Sequence, residues 1–270
     1  SNACKNCVAG RYDNDQGQVD TCTSLCPGGK YGSLAGKTNL DDACPSLCPG
    51  GKYGSGTGKT TLATACPDWC TKGRYGSGTG QTSLTAACPS QCAGGKYGDL
   101  IGQTTESNAC KDCVAGKYDN NIKQVDTCDE VCPGGKYGNV PGKTNEPDAC
   151  PLTCDKGRYG SGTGQTSLTA ACPDVCAGGK YGDQIEQTTE SNACKNCVAG
   201  KFDNDQKQVD TCDHVCSKGR YGNVVGQTTL EAACPNRCAG GKYGDQVWQT
   251  TESNACKNCV AGRYDNDQGQ

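Results

Sequence analysis

The stretch from Cys48 to Thr61, Cys-Pro-Gly-Gly-Lys-Tyr-Gly-Ser-Gly-Thr-Gly-Lys-Thr-Thr, has the glycines, the lysine and the hydroxyls of a phosphate-binding loop. That chemistry needs Gly-x-x-x-x-Gly-Lys-Ser/Thr, in which backbone N–H groups cradle the phosphates and the lysine reaches them. The residue five places before Gly58 is Tyr53. The Lys59 position is lysine in three related segments and glutamine in six: Gln81, Gln103, Gln165, Gln187, Gln227 and Gln249. A phosphate site cannot exchange its cation for a neutral amide, so this run reads as a turn.

The second candidate chemistry is that of the 26 cysteines, which fall in thirteen close pairs. Paired thiolates at such spacing bind zinc in ribbon sites, and Cys4, Cys7, Cys22 and Cys26 come near that pattern with a gap of fourteen residues. Tetrahedral sites would couple the pairs in twos, but the order of the pairs shows no two-fold alternation and thirteen is odd. Cysteine at about a tenth of the residues is the composition of an extracellular disulfide scaffold, which is the preferred reading.

Other groups carry less. The runs Asp13-Asn14-Asp15 and Asp203-Asn204-Asp205 hint at calcium, but an EF-hand loop needs glycine at its sixth position and glutamate at its twelfth. Gly17 falls fifth, other copies have Lys123 or Lys207 there, and Asp15 becomes Asn121. A solvated turn is the expectation. His214 is the single histidine, so no Ser/His or Cys/His constellation can form. Trp69 and Trp248 are isolated aromatics that could serve as lateral contacts. Asn-Ala-Cys at Asn2, Asn108, Asn192 and Asn254 is a weak glycosylation signal, and Ser/Thr clusters such as Thr82 to Thr85 are candidates for O-linked sugar. No catalytic residue, metal or cofactor is assigned, and the chain is not read as an enzyme.

The elements that carry these residues are short and repeated. Successive pairs start 18 or 22 residues apart, from Cys4 to Cys256. Nine long units read Cys-x3-Cys-x2-Gly-Lys/Arg-Tyr-Gly and continue through a recurring threonine to the next cysteine. Four short units read Cys-x2-Cys-Val-Ala-Gly-Lys/Arg-Tyr/Phe-Asp-Asn. The blocks are 1–106, 107–190 and 191–252, each opening with a short unit. Residues 253–270 repeat residues 1–18 without change, so a period of 252 residues restarts there. The sequence is therefore expected to be one continuous array over 1–270, a mature extracellular chain or a window from a longer tandem polymer.

Hydrophobic residues make up 33% of the chain with the cysteines included, and the formal net charge is −3. That is too little aliphatic matter for a large core and too little positive charge for nucleic acid. No apolar run is long enough to span a membrane. Ordering a 22-residue unit costs roughly 20–40 kcal/mol, far more than one aromatic and one aliphatic side chain return, so neighbours and covalent staples must hold each unit.

The expected fold is small, disulfide-rich and built of short β-hairpins and loops. It forms an elongated tandem-repeat rod or solenoid with no α-helix and no large hydrophobic core. Gly-Lys-Tyr-Gly and the stretch around the recurring threonine (Thr38, Thr60, Thr82, Thr104) are read as its strands, with residues such as Ser55 to Gly58 as the turn. The simplest stapling joins the second cysteine of one unit to the first of the next. It gives Cys7–Cys22, Cys26–Cys44, Cys48–Cys66, Cys70–Cys88, Cys92–Cys110 and Cys113–Cys128. It continues with Cys132–Cys150, Cys154–Cys172, Cys176–Cys194, Cys197–Cys212, Cys216–Cys234 and Cys238–Cys256, and leaves Cys4 and Cys259 over. A crossed pattern spanning two units competes with it.

Every unit places an aromatic after its basic residue. The slot holds Tyr12, Tyr31, Tyr53, Tyr75, Tyr97, Tyr118, Tyr137, Tyr159, Tyr181, Tyr221, Tyr243 and Tyr264, with Phe202 in the remaining unit. Since Phe202 serves without a hydroxyl, the slot is read as packing. The basic residue is expected to lay its alkyl stem over a neighbour and keep its charge in water.

The phrase Cys26-Pro27-Gly28-Gly29-Lys30-Tyr31 and its copies resemble the ephrin-receptor-like cysteine-rich repeat, and more distantly the modules of tumour-necrosis-factor-receptor ectodomains. The resemblance covers the whole chain and implies an elongated, disulfide-laddered extracellular array, such as occurs in large surface and flagellar-hair proteins. The Cys-x3-Cys spacing of nine units departs from the commoner Cys-x2-Cys. The expected function is that of a structural subunit of an extracellular or cell-surface filament or fibre, stiffened by its staples and associating with copies of itself; glycans are a further candidate partner. The alternative is a receptor or adhesin stalk that binds a ligand on one face.

Overall fold

The computed structural model describes residues 4–16, 21–264 and 266–268. The chain divides into two compact bodies, one of Ser1–Glu130 with Val140–Asn145 and one of Val131–Asn139 with Glu146–Gln270. Both are built from two-stranded antiparallel hairpins and single helical turns. Asn2, Gly17 and Asp265 lie outside the described residues.

Each strand has two residues. In the first body Lys30–Tyr31 pairs with Ser46–Leu47, Lys52–Tyr53 with Asp68–Trp69, and Arg74–Tyr75 with Ser90–Gln91. In the second, Arg158–Tyr159 pairs with Asp174–Val175 and Lys201–Phe202 with His214–Val215. The basic-aromatic strand is therefore expected in the sequence, but its antiparallel partner is not the threonine stretch of its own unit; that stretch makes single parallel bridges to the ring residue one unit earlier, as Gln103 does to Tyr75. The antiparallel partner is the gap between the two cysteines of the following unit. Backbone pairing there explains why the gap accepts Leu47, Trp69, Gln91 or His214 alike, since the ladder uses main chain and leaves the side chains largely free.

The threonine stretch instead leads into a helix. Leu40–Ala43, Leu62–Ala65, Leu84–Ala87 and Glu106–Ala109 form single α-turns in the first body, and five more occur in the second, nine among the described residues. The expectation of no α-helix is corrected on this point. The physical cause is local: Asn39, Thr61, Ser83, Ser167 and Thr229 are extended N-caps whose side chains accept from the backbone three residues on. Alanine then ends the turn against the next cysteine, as at Ala65 and Cys66.

Cysteine and alanine fill the interior. Cys48, Ala65 and Cys66 form one buried cluster, Cys70, Ala87 and Cys88 the next, with an aliphatic lid from Leu62 or Leu84. In the second body Cys154, Ala171 and Cys172 repeat the arrangement under Leu168. Small side chains suffice because a disulfide, not an aliphatic layer, occupies the middle of each unit.

Candidate functional site

The residues that recur in every unit are the two cysteines, the basic-aromatic pair and the glycines beside it; together they form the stacking machinery. Six disulfides lie in each body. In the first they are Cys7–Cys22, Cys26–Cys44, Cys48–Cys66, Cys70–Cys88, Cys92–Cys110 and Cys113–Cys128. In the second they are Cys132–Cys150, Cys154–Cys172, Cys176–Cys194, Cys197–Cys212, Cys216–Cys234 and Cys238–Cys256. Cα atoms across the Cys26–Cys44 bond are 5.6 Å apart, an ordinary disulfide separation. Cys4 and Cys259 are free thiols.

Among the described residues, eight rings lie on the staple of the following unit. Tyr12 packs against Cys26, Ala43 and Cys44, Tyr31 against Cys48, Ala65 and Cys66, and Tyr53 against Cys70, Ala87 and Cys88. Tyr75 does the same at Cys92 and Cys110. Tyr137, Tyr159 and Tyr221 repeat it in the second body, and Phe202 covers Cys216 and Cys234 in the same way. Tyr97, Tyr118 and Tyr181 are half-buried. Tyr243 and Tyr264 are the exposed members of the series, Tyr264 at 90%. Burial pushes the Tyr159 phenol above its ordinary pKa, with Glu190 and Asp174 adding to the effect.

The glycine before the basic residue makes a closer contact in several units. Gly29 has φ +79°, and a Cβ there would stand 2.2 Å from the carbonyl oxygen of Gly80, two units on. A Cβ on Gly51 would stand 2.3 Å from the oxygen of Gly102, and one on Gly179 2.4 Å from that of Gly226. Only glycine permits both the left-handed backbone and this approach.

The turn that looks like a phosphate loop is the other half of the contact. Gly58 N–H donates to Cys26 O at 2.7 Å, and Lys59 O accepts from Gly32 N–H at 3.3 Å. Gly80 and Gln81 make the same bonds to Cys48 O and Gly54 N–H. Because Lys59 and Gln81 work through their carbonyls, the side chain at this position is free to vary.

The basic slot does more than cover a surface. Arg11, Arg74 and Arg158 donate Nη1 to the carbonyls of Cys22, Cys88 and Cys172 at 2.8, 3.1 and 3.1 Å. Lys96, Lys136, Lys180 and Lys242 pair with Glu106, Glu146, Glu190 and Glu252 at 2.6–3.1 Å. These heads stay partly exposed, as expected, but also take specific partners. A glutamate ten residues after the lysine, in Thr-Thr-Glu-Ser-Asn-Ala-Cys and in the related Glu146 segment, is the sequence signal for the ion pairs.

The tryptophans are likewise engaged within the chain. The ammonium of Lys52 lies 3.8 Å from the ring centre of Trp69, and Gly102 leaves room for that ring. Trp248 Nε1 donates to Ala199 O at 3.0 Å. His214 stacks on Phe202, its cross-strand partner, at 5.3 Å.

In the Asp-Asn runs, Asn14, Asp15, Asn204 and Asp205 are exposed as a solvated turn requires, but Asp119 and Asp203 are 1% exposed, which corrects that reading for these two side chains. They occupy the place of the glycine that follows tyrosine in long units. Asp119 Oδ1 accepts from Asn121 N–H at 2.7 Å and Asp203 Oδ1 from Asp205 N–H at 2.8 Å, closing Asx turns. Asp203 Oδ2 also accepts from Asp213 N–H. Asn108, Asn192 and Asn254 sit exposed on helical turns, each two residues before a bonded cysteine.

No protein-family model matches this chain, and no curated protein matches it either. No helix among the described residues is long and apolar enough to cross a membrane. Twelve disulfides in 270 residues are typical of extracellular proteins.

Proposed function

We propose that the chain is a structural subunit of an extracellular filament or fibre, related in kind to the ephrin-receptor-like repeats it resembles. The observation that carries the reading is the contact pattern: the ring of one unit covers the staple of the next, as Tyr31 covers Cys48–Cys66. A unit of this sort gains its stability from neighbours, the logic of a one-dimensional array. Its recurring residues serve that stack. Self-association at the cell surface and an elongated form belong to the same proposal, with glycans as a further partner on the exposed Ser and Thr residues.

The stalk alternative draws on one feature, an open cleft of about 410 Å³ lined by Thr71, Lys72, Leu84, Ile101, Lys123 and Val125. Electron microscopy of the native material separates the two. Uniform filaments with an axial repeat matching twelve units support the fibre; discrete particles that stay single at all concentrations refute it.

A further inference from the structure

The backbone contacts of the array carry no address. Gly58, Gly80 and Gly102 donate to Cys26, Cys48 and Cys70 in the first body with one geometry, and Gly164 and Gly226 donate to Cys132 and Cys197 in the second. A chain that looped out one unit and stacked the following one in its place would recover the same bonds. Something else must distinguish the correct neighbour from its near-copies.

A few side-chain contacts link units two apart and are not common to all. Lys72 pairs with Asp126, and Lys156 with Asp210 at 2.5 Å, each across 54 residues. Lys136 meets Glu186 at 3.1 Å, and the Lys201 ammonium lies 4.8 Å from the ring centre of Trp248. Glu186 and Trp248 occupy the left-handed turn slot that holds Gly58, Gly80 and Gly102 elsewhere, with φ of 61° and 57°. A side chain is strained there. The sequence places one where it meets a partner.

The lysines of the first two pairs mark a distinct unit type. They stand in Cys-Thr-Lys-Gly-Arg-Tyr and Cys-Asp-Lys-Gly-Arg-Tyr, where the Cys48 unit has Pro-Gly-Gly-Lys-Tyr. Arg74 and Arg158 donate to the carbonyls of Cys88 and Cys172, and lysines, Lys123 and Lys207, fill the left-handed slot two units on. Asp126 and Asp210 come from the Val-Asp-Thr tails that only short units possess. The Lys-Gly-Arg unit thus meets a short unit two places further along.

We propose that Lys72, Lys156 and their acidic partners are specificity-determining residues for stacking: they set the register in which the short units are seated during folding. A unit looped out beside Lys156 would offer it the segment around Thr229, which has a neutral threonine in place of Asp210. At Lys136 the same slip would replace Glu186 by Lys207, turning attraction into repulsion.

The test is oxidative refolding of the full chain, read by zero-length amine–carboxyl cross-linking with peptide mapping and by exchange of the Asp210 N–H, which donates to Gly182 O. The refolded wild type should regain the Lys72–Asp126 and Lys156–Asp210 cross-links. Lys156→Glu should lower the fraction with native protection at Asp210 on the order of three- to tenfold, because it sets two carboxylates against each other. Lys156→Glu combined with Asp210→Lys should recover most of it. Refolding of Lys156→Glu to the wild-type fraction, or a double variant no better than the single one, overturns the proposal.

Discussion

Gly29 leaves less room for a side chain against a unit two places on than the other described glycines in its slot, and a matched pair of substitutions isolates that approach to Gly80. Gly29 and Gly241 stand in nearly the same local sequence, Cys-Pro/Ala-Gly-Gly-Lys-Tyr, with φ of +79° and +80°. A Cβ at Gly29 would meet Gly80 O at 2.2 Å and Gly80 C at 2.6 Å, whereas one at Gly241 meets nothing within 4 Å. Both alanine substitutions carry the left-handed penalty, about 1–2 kcal/mol. Both also gain equally from a stiffer unfolded chain, about 0.4–1 kcal/mol. Gly29→Ala must in addition push the Gly80–Gln81 segment aside by on the order of 1 Å, since the atoms at this contact are already close-packed. That movement loosens Gly80 N–H to Cys48 O at 2.8 Å and Gly54 N–H to Gln81 O at 3.1 Å. Two bonds at about 0.5–1.5 kcal/mol each put the extra cost near 1–3 kcal/mol. The assay is hydrogen exchange with disulfides intact, read at Gly54 and Gly80 for the first variant and near Gly241 for the second. The expected result is faster exchange by one to two decades at Gly80 in Gly29→Ala. Equal, small effects from both substitutions would refute the stacking argument.

Further expectations concern the ring, the turn and the ion pairs. Tyr53→Phe should leave stability nearly unchanged while Tyr53→Ala costs about 2–3 kcal/mol in chemical denaturation, because the ring covers Cys70, Ala87 and Cys88. Lys59→Ala should shift stability by less than about 0.5 kcal/mol, and calorimetry with ATP should show no binding, since Lys59 contributes its carbonyl to the stack. The hydrogen bond from Lys111 holds the Asp99 carboxyl below the usual carboxylate range, and the same bond raises the Lys111 ammonium; Asp183–Lys195 and Asp245–Lys257 repeat this. The stabilising contribution of each aspartate is therefore present above its ordinary pKa and fades as pH falls through the lowered one. That of each lysine is present below its ordinary pKa and fades as pH rises through the raised one. Carboxyl NMR titration should show Asp99 titrating at higher pH in Lys111→Gln than in wild type, and an unmoved midpoint would dismiss the pairing.

Much of the local design could be read from spacing. Steps of 18 and 22 residues count the units, and Phe202 among twelve tyrosines marks the slot as one for packing. What escaped the sequence reading depends on partners far along the chain or on short polar signals. The helical turns hang on single N-caps such as Thr61 and Ser83, in windows too short to show a 3.6-residue period. The strand partner of Lys52–Tyr53 lies inside a cysteine gap, at Asp68–Trp69, where no alternation of apolar and polar residues can develop over two positions. Lys72 finds Asp126 across 54 residues, a separation set by the stack and invisible to any local pattern. The glycines around Gly58 mark a turn, but its bond to Cys26 O depends on the neighbouring unit being in place.

Staples between successive units hold the array together, and peptide mapping of the unreduced protein reads them directly. Twelve linked fragments are expected, including Cys26–Cys44 and Cys48–Cys66, with Cys4 and Cys259 in none of them. Fragments linking Cys26 to Cys66, or thiols that become free on chelation of zinc, would contradict it.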